Sequence, residues 1–351
     1  MDKNLLEKRD PSITLSRTLG MIFIVLCHII GYYTFIPAHN VLDQFFNCGV
    51  QLFLFISGYL YGVKFVGKFK DWYLKRAITV SLPAVLISVI VIIALLIAGE
   101  SVPTNSAVAY VLDLEGLLFI NFGVFSKLFE EIPSIGPLWF TTVIMLCYLL
   151  VPLLHLIAKK IKRRFTLFII LFFIVGIAVS VALSKYIVLN YFVLFATGYF
   201  LGKINWLNKI KDLSFIICTV IFIVALAGRL LMQKYFDNTS VYIYYSTVSH
   251  QIVGTWFVVL FAYLINKFPN AIGKFGNSKA VRILDEYSFY VFLTHSVFCI
   301  GAFNLYEQFS LPVATLLFLL CTAAAAVILK FITGLVTKTL NKLIGRNYKR
   351  A

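Results

Sequence analysis

Apolar residues along this chain fall in runs of about 20, separated by short polar or charged breaks. A run of that length crosses a hydrocarbon core roughly 30 Å thick as an α-helix. Ten such spans are read, at 13–36, 41–63, 77–98, 136–158, 165–184, 186–202, 212–230, 242–266, 283–306 and 312–336. Pro37, Pro83, Pro137 and Pro312 stand at or near their ends. The pattern predicts an all-α polytopic membrane bundle of about ten transmembrane helices, filling 1–351 as a single domain with no appended soluble domain. The one long segment between spans, 99–135, carries Glu100, Asp113, Glu115, Glu130 and Glu131 against Lys127. It is expected to be solvated, the alternative being a lid over an external acceptor site. Within it 108–122 is moderately apolar and is expected to form an interfacial or re-entrant helix.

Composition sharpens this picture. Of 351 residues 61% are hydrophobic and 13% charged, with a mean hydropathy of +0.92, whereas a soluble domain is closer to half apolar and a quarter charged. A soluble globular protein is excluded. The net charge of +16, from 31 Lys and Arg against 15 Asp and Glu, would suggest nucleic acid in a soluble chain. Here the basic residues sort by side. With the N-terminus inside, only Lys127, Lys185, Arg229 and Lys234 fall in outer loops, and Arg17 and Lys330 lie within spans. That asymmetry predicts both termini in the cytoplasm. It makes anionic lipid of the bilayer, not nucleic acid, the partner of the positive charge. The six cysteines show no CxxC spacing, so neither a disulfide framework nor a zinc site is expected, and no metal is. The polar first ten residues and the long apolar stretch after them give no cleavable signal.

Ionisable groups inside spans are functional candidates, because each costs several kcal/mol unless paired or wet. Arg17 and His28 share the first span. Eleven residues amount to about three turns and a rise of roughly 16 Å, so both project from one face: a cation near the inner surface and an imidazole in the outer half. Taken singly, Arg17 is also readable as a snorkelling anchor and His28 as a packing residue. His250 and His295 lie at comparable depth, and their convergence with His28 would make a polar centre. Asp43, at the start of the second span, is placed to face His28 and set its tautomer. His155 reads as interfacial and His39 as solvated. Lys75 and Arg76 open the third span seven residues before Pro83, where cations suit phosphate groups: Arg by bidentate geometry, Lys as a point charge.

At these positions the chain resembles the acyltransferase-3 family of integral-membrane acyltransferases. Arg17…His28 is similar to the family's first-span Arg-x10-His. Gly49 to Leu60 resembles its second-span aromatic run closing on Ser57-Gly58-Tyr59, and Lys75-Arg76 before Pro83 resembles its basic third-span entry. Pro137-Leu138-Trp139-Phe140 with Tyr148 and Pro152 matches its Leu-Trp-Phe motif. Phe195 to Gly202 and Tyr287 to His295 resemble two later landmarks, all in family order. Two departures stand out. Thr79 occupies a position often held by a second Arg, and Ile144 and Met145 stand where some members carry paired acids.

The resemblance implies an O-acetyltransferase of surface polysaccharides in the plasma (inner) membrane of a bacterium. Its donor would be cytoplasmic acetyl-CoA or another acyl-CoA, with no permanently bound cofactor. Its acceptor would be a hydroxyl of a glycan or lipid-linked sugar on the far side. Arg17, Lys75 and Arg76 would bind the CoA phosphates. His28, with Asp43 and His295, would carry the chemistry, His28 as general base on the acceptor or as a transient acyl carrier. Trp139, Tyr148, Tyr290 and His250 would contact substrate. Ser57-Gly58 reads most simply as a close helix contact. The competing class is a polysaccharide exporter or other secondary transporter, against which no paired Gly/Pro-broken spans occur in matching halves. A purely structural scaffold leaves Arg17 and His28 on one face without a role.

Overall fold

A computed structural model describes residues 10–33, 39–64, 67–116, 130–161, 165–182, 187–237 and 239–343. Lys127, Lys185, the ends of the predicted spans at 34–36 and 183–186, and residues 117–122 of the predicted loop helix lie outside them. Fifteen α-helices are described, with no strand among the described residues. In chain order they are α1 (Pro11–Ile30), α2 (His39–Phe46), α3 (Gly49–Val63), α4 (Phe69–Thr79), α5 (Ser81–Ile97), α6 (Thr104–Val111), α7 (Trp139–Ile161), α8 (Phe165–Ala182), α9 (Ile187–Lys203), α10 (Asp212–Phe236), α11 (Ser240–Lys267), α12 (Ile272–Gly276), α13 (Lys279–Thr294), α14 (Leu305–Gln308) and α15 (Leu311–Leu343). Among the described residues seven helices or helix pairs are long and apolar enough to cross a membrane: 11–30, 41–63, 69–97, 133–161, 212–236, 240–267 and 311–342. The protein is a polytopic helical membrane protein.

Local chemistry sets the helix ends. Asp10 caps α1, its Oδ1 accepting from the Ser12 backbone N–H at 2.9 Å and the Ser12 hydroxyl at 2.7 Å, with Pro11 in the first turn where no donor is needed. The predicted third span is broken at Val80 into α4 and α5. Pro83, in the first turn of α5, has no N–H to give the Thr79 carbonyl four residues back, and its ring crowds that oxygen. The predicted span 283–306 is a correction: α13 ends at Thr294, and single 3₁₀ turns follow at 295–298 and 301–303. There the His295 ring N–H donates to the Phe292 carbonyl at 2.6 Å and the Thr294 hydroxyl to the Tyr290 carbonyl at 2.9 Å. Both carbonyls are thus engaged by side chains, and Gly301 adopts φ +78°, a left-handed turn conformation. Within the described part of segment 99–135, α6 begins at Thr104 and ends at Val111 ahead of Asp113, which takes φ 54°.

The helices group into two compact units: residues 1–65 with 151–288, and 66–150 with 289–351. The first unit is built around α3 and α9, which meet backbone to backbone. Gly58 and Gly62 on α3 face the carbonyls of Phe195 and Tyr199, while Gly198 and Gly202 on α9 face those of Phe55 and Tyr59. Two reciprocal Gly-x3-Gly stripes thus form one seam, the small-residue contact by which helices associate in lipid. Against α3 lies α1, and Phe23 of α1 packs edge-on to Phe257 of α11 (4.8 Å between centroids) and Phe46 of α2 (5.0 Å). In the second unit α5 packs against α6 and α15, and the turn 133–138 docks on the turn 295–298, where the Ser296 hydroxyl donates to the Ser134 carbonyl at 3.0 Å.

Candidate active site

The first unit holds four of the sequence-predicted residues: Arg17, His28, Asp43 and His250. Arg17 is half-exposed on α1, and its Nε is 3.0 Å from Oδ1 of Asp285. Asp285, on α13, is a buried carboxylate that sequence reasoning missed. One nitrogen of the guanidinium is thereby engaged, and the fork is fixed in direction. His28 lies in the last turn of α1. Its sequence neighbour Cys27 donates its Sγ–H to Asp43 Oδ1 at 3.1 Å, and the Asp43 carboxylate acts electrostatically on His28. The short helix α2 is what delivers Asp43, since it lies against α1. A carboxylate near an imidazole favours the imidazolium that a general base becomes after taking a proton.

His250 is joined to a residue the sequence placed in an outer loop. Helix α10 continues to Phe236 instead of ending near 230, so Arg229 stands within it and is fully buried, at 0% exposure. Its Nε donates to Gln44 Oε1 at 2.5 Å, and its Nη2 meets Nε2 of His250. A guanidinium has only donors, so His250 Nε2 must accept, which leaves the proton on Nδ1, 3.3 Å from the Ser246 hydroxyl. Asp43, Cys27, Cys48 and Tyr242 are within electrostatic range of Arg229. The structure therefore gathers His28, Asp43, Gln44, Arg229 and His250 from four helices into one buried polar cluster. Spacing alone gave no signal for Gln44 or Arg229.

The second unit holds Lys75, Arg76, Trp139, Tyr148, Tyr290 and His295. Lys75 and Arg76 are partly buried on α4 just before the break at Val80. Thr79, at the position where the resemblance leads one to expect Arg, donates its hydroxyl to the Lys75 carbonyl at 3.0 Å. Tyr148 is buried and meets the Trp72 ring edge-on at 5.5 Å. Trp139 starts α7 beside Phe140, which packs on Phe292 at 5.3 Å; Phe292 in turn lies 5.8 Å from the fully buried His295 ring. Tyr290 packs against Phe289 at 6.2 Å. Ile144 and Met145 are buried apolar side chains.

Two acids of segment 99–135 are not solvated as expected. Asp113 is 8% exposed and Glu115 1%. The Thr141 hydroxyl, three residues into α7, lies 2.5 Å from Asp113 Oδ1 and 3.4 Å from Glu115 Oε1. Thr142 donates to the Asp113 carbonyl at 2.9 Å and accepts from the Gly116 N–H at 3.0 Å. Burial pushes the Asp113 carboxyl up to about 6, against lowering by the hydroxyls of Ser81, Thr141 and Thr142. Burial, and then the Asp113 charge, hold Glu115 well above the ordinary carboxylate range. Among the described residues neither acid has a cation in ion-pair contact, so burial and mutual repulsion both favour their protonated forms. They were missed because an acidic loop normally faces water, and nothing in their spacing announces Thr141 and Thr142.

Among the described residues no three His, Cys, Asp or Glu side chains are grouped to hold a metal ion. All six cysteines are free thiols. Neither a curated protein nor a solved structure matches the chain. A family model described as an acyltransferase domain matches residues 10–335, from the cap of α1 into α15 and across both units. That span takes in the Arg17…His28 face, the α4 cations, the Trp139 turn and the buried polar cluster, and on it the chain belongs to the acyltransferase-3 family, as a membrane-embedded acyltransferase.

Proposed function

We propose that the protein moves an acetyl group from cytoplasmic acetyl-CoA to a hydroxyl of a cell-surface glycan, or its lipid-linked precursor, outside a bacterial inner membrane. The observation that carries this reading is the α1 face. One helix bears Arg17 with its guanidinium aimed by Asp285 and, three turns on, His28 under the influence of Asp43. A cation at one depth and a base at another suit a donor with phosphates at one end and a thioester at the other. Ten spans and cytoplasmic termini complete the proposed topology, with the positively charged segments inside.

In this mechanism Arg17 binds the CoA phosphates, and the pantetheine arm runs along α1 to bring the thioester to His28. Neutral His28 takes the proton of the acceptor hydroxyl as its oxygen attacks the thioester carbonyl. The carbonyl electron pair moves onto oxygen, then returns as the C–S bond breaks. CoA leaves as a thiolate and receives the proton from His28. Asp43 supports the transient imidazolium. The test is transfer of label from [¹⁴C]acetyl-CoA to a cell-envelope glycan by purified protein. Wild type is expected to be active, His28→Ala reduced by roughly 10²–10⁴-fold, and Arg17→Ala raised in KM for acetyl-CoA. Full activity in His28→Ala would remove His28 from the chemistry.

A further inference from the structure

Arg229 is a cation in an unusual state. It is completely buried, and among the described residues its hydrogen-bond partners are neutral: the Gln44 carbonyl on Nε and the His250 imidazole on Nη2. Among the described residues its Nη1, also buried, has no hydrogen-bond partner, and no carboxylate stands within ion-pair distance of the guanidinium. Asp43 is within electrostatic range but is occupied by the Cys27 thiol. A guanidinium costs several kcal/mol to bury unless it is paired, and a buried donor without an acceptor adds its own desolvation penalty. An arginine that served only to hold helices together would have its fork filled.

Resting on the acetyl-transfer reading, we propose that the unused Nη1 of Arg229 is an oxyanion donor for the acyl-transfer step. As the acceptor oxygen attacks the thioester, the carbonyl π pair moves onto the carbonyl oxygen and a full negative charge appears there. It vanishes when the C=O re-forms and the C–S bond breaks. Arg229 donates one N–H to that oxygen, and no proton is transferred. Gln44 and His250 hold Nε and Nη2, so Nη1 with its two N–H groups is held in one orientation and needs no reorganisation at the moment of reaction. The distant Asp43 charge keeps the cluster near neutral in the resting state. The N–H is therefore left for charge that develops only during transfer, the differential interaction that raises kcat. The cluster's other titratable groups are His28, Cys27 and Cys48 from α1 and the head of α3, and Tyr242 and His250 from α11.

The test compares wild type, Arg229→Lys and Arg229→Ala in labelled acetyl transfer, each protein also being followed by thermal unfolding in detergent. The expected result is a kcat fall of roughly 10²–10³-fold in both variants, with KM for acetyl-CoA within about twofold, and partial recovery of Arg229→Ala by added guanidinium. Recovery by a small guanidinium separates a donor from a merely structural residue. A kcat within threefold of wild type overturns the inference while leaving the acetyltransferase reading intact. So does a loss that tracks a lowered melting temperature and that guanidinium does not restore. An inactive wild type fails the acetyltransferase reading itself, and the oxyanion role with it.

Discussion

Asp113→Asn is expected to stabilise the protein at neutral pH while leaving it unchanged in acid. In the unfolded chain the Asp113 carboxyl loses its proton near 3.8, and in the folded protein near 6. Between those values the folded state binds more protons than the unfolded one, so stability falls as pH rises, and it levels off above about 6. The gap corresponds to about 3 kcal/mol, an order-of-magnitude figure for a side chain that is 8% exposed. Asparagine cannot ionise, yet its Oδ1 still accepts from Thr141, and asparagine tolerates the left-handed φ of 54° at this position. Thermal unfolding of the purified protein in detergent, followed from pH 4 to 8, reads the difference. The two proteins should coincide below about pH 4 and diverge through pH 6, with the variant melting higher above it. A variant that keeps the wild-type pH dependence, or melts lower at pH 8, would refute the claim that this carboxylate is buried against its charge.

Three further outcomes follow from the packing and the site. Gly58→Ala and Gly198→Ala each put a Cβ into the backbone of the facing helix, so each should cost about 1–3 kcal/mol and lower the melting temperature; an unchanged melting curve would remove the α3–α9 seam. Asp285→Asn removes the charge facing the Arg17 Nε at 3.0 Å, and should raise KM for acetyl-CoA several-fold with kcat nearly constant, as read by initial rates. Asp43→Asn should lower kcat roughly 10-fold or more while leaving KM little changed, because a charge supporting the imidazolium is lost but no donor contact is; steady-state kinetics decide it.

How far the sequence reached depends on which physical signal it carried. Length and hydropathy mark α1, α5, α7, α10, α11 and α15, since a bilayer demands continuous apolar runs. The pairing of Arg17 with His28 on one face is legible because helical periodicity is local. The Gly58 contact was legible too, although its counterpart stripe on α9 needed the fold. Arg229 was misread because a charge near the end of an apolar run looks like a boundary. Only the fold shows α10 carrying it on into a cluster with Gln44 and His250. Asp113 and Glu115 were hidden for the opposite reason: acids in a long polar segment look solvated, and Thr141 and Thr142 reach them from a helix more than twenty residues away. The break after Thr294 depends on side chains bonding to backbone carbonyls, which competes with the helix at a scale hydropathy does not resolve.

The central claim is that one chain joins a donor on one side of the membrane to an acceptor on the other through His28. The direct measurement uses proteoliposomes with labelled acetyl-CoA confined to the face bearing the positively charged segments and a hydroxyl-bearing glycan confined to the opposite compartment. The account predicts labelled glycan with wild type and almost none with His28→Ala, in vesicles that stay sealed to acetyl-CoA. No label across the membrane with wild type, or equal label with His28→Ala, would contradict it.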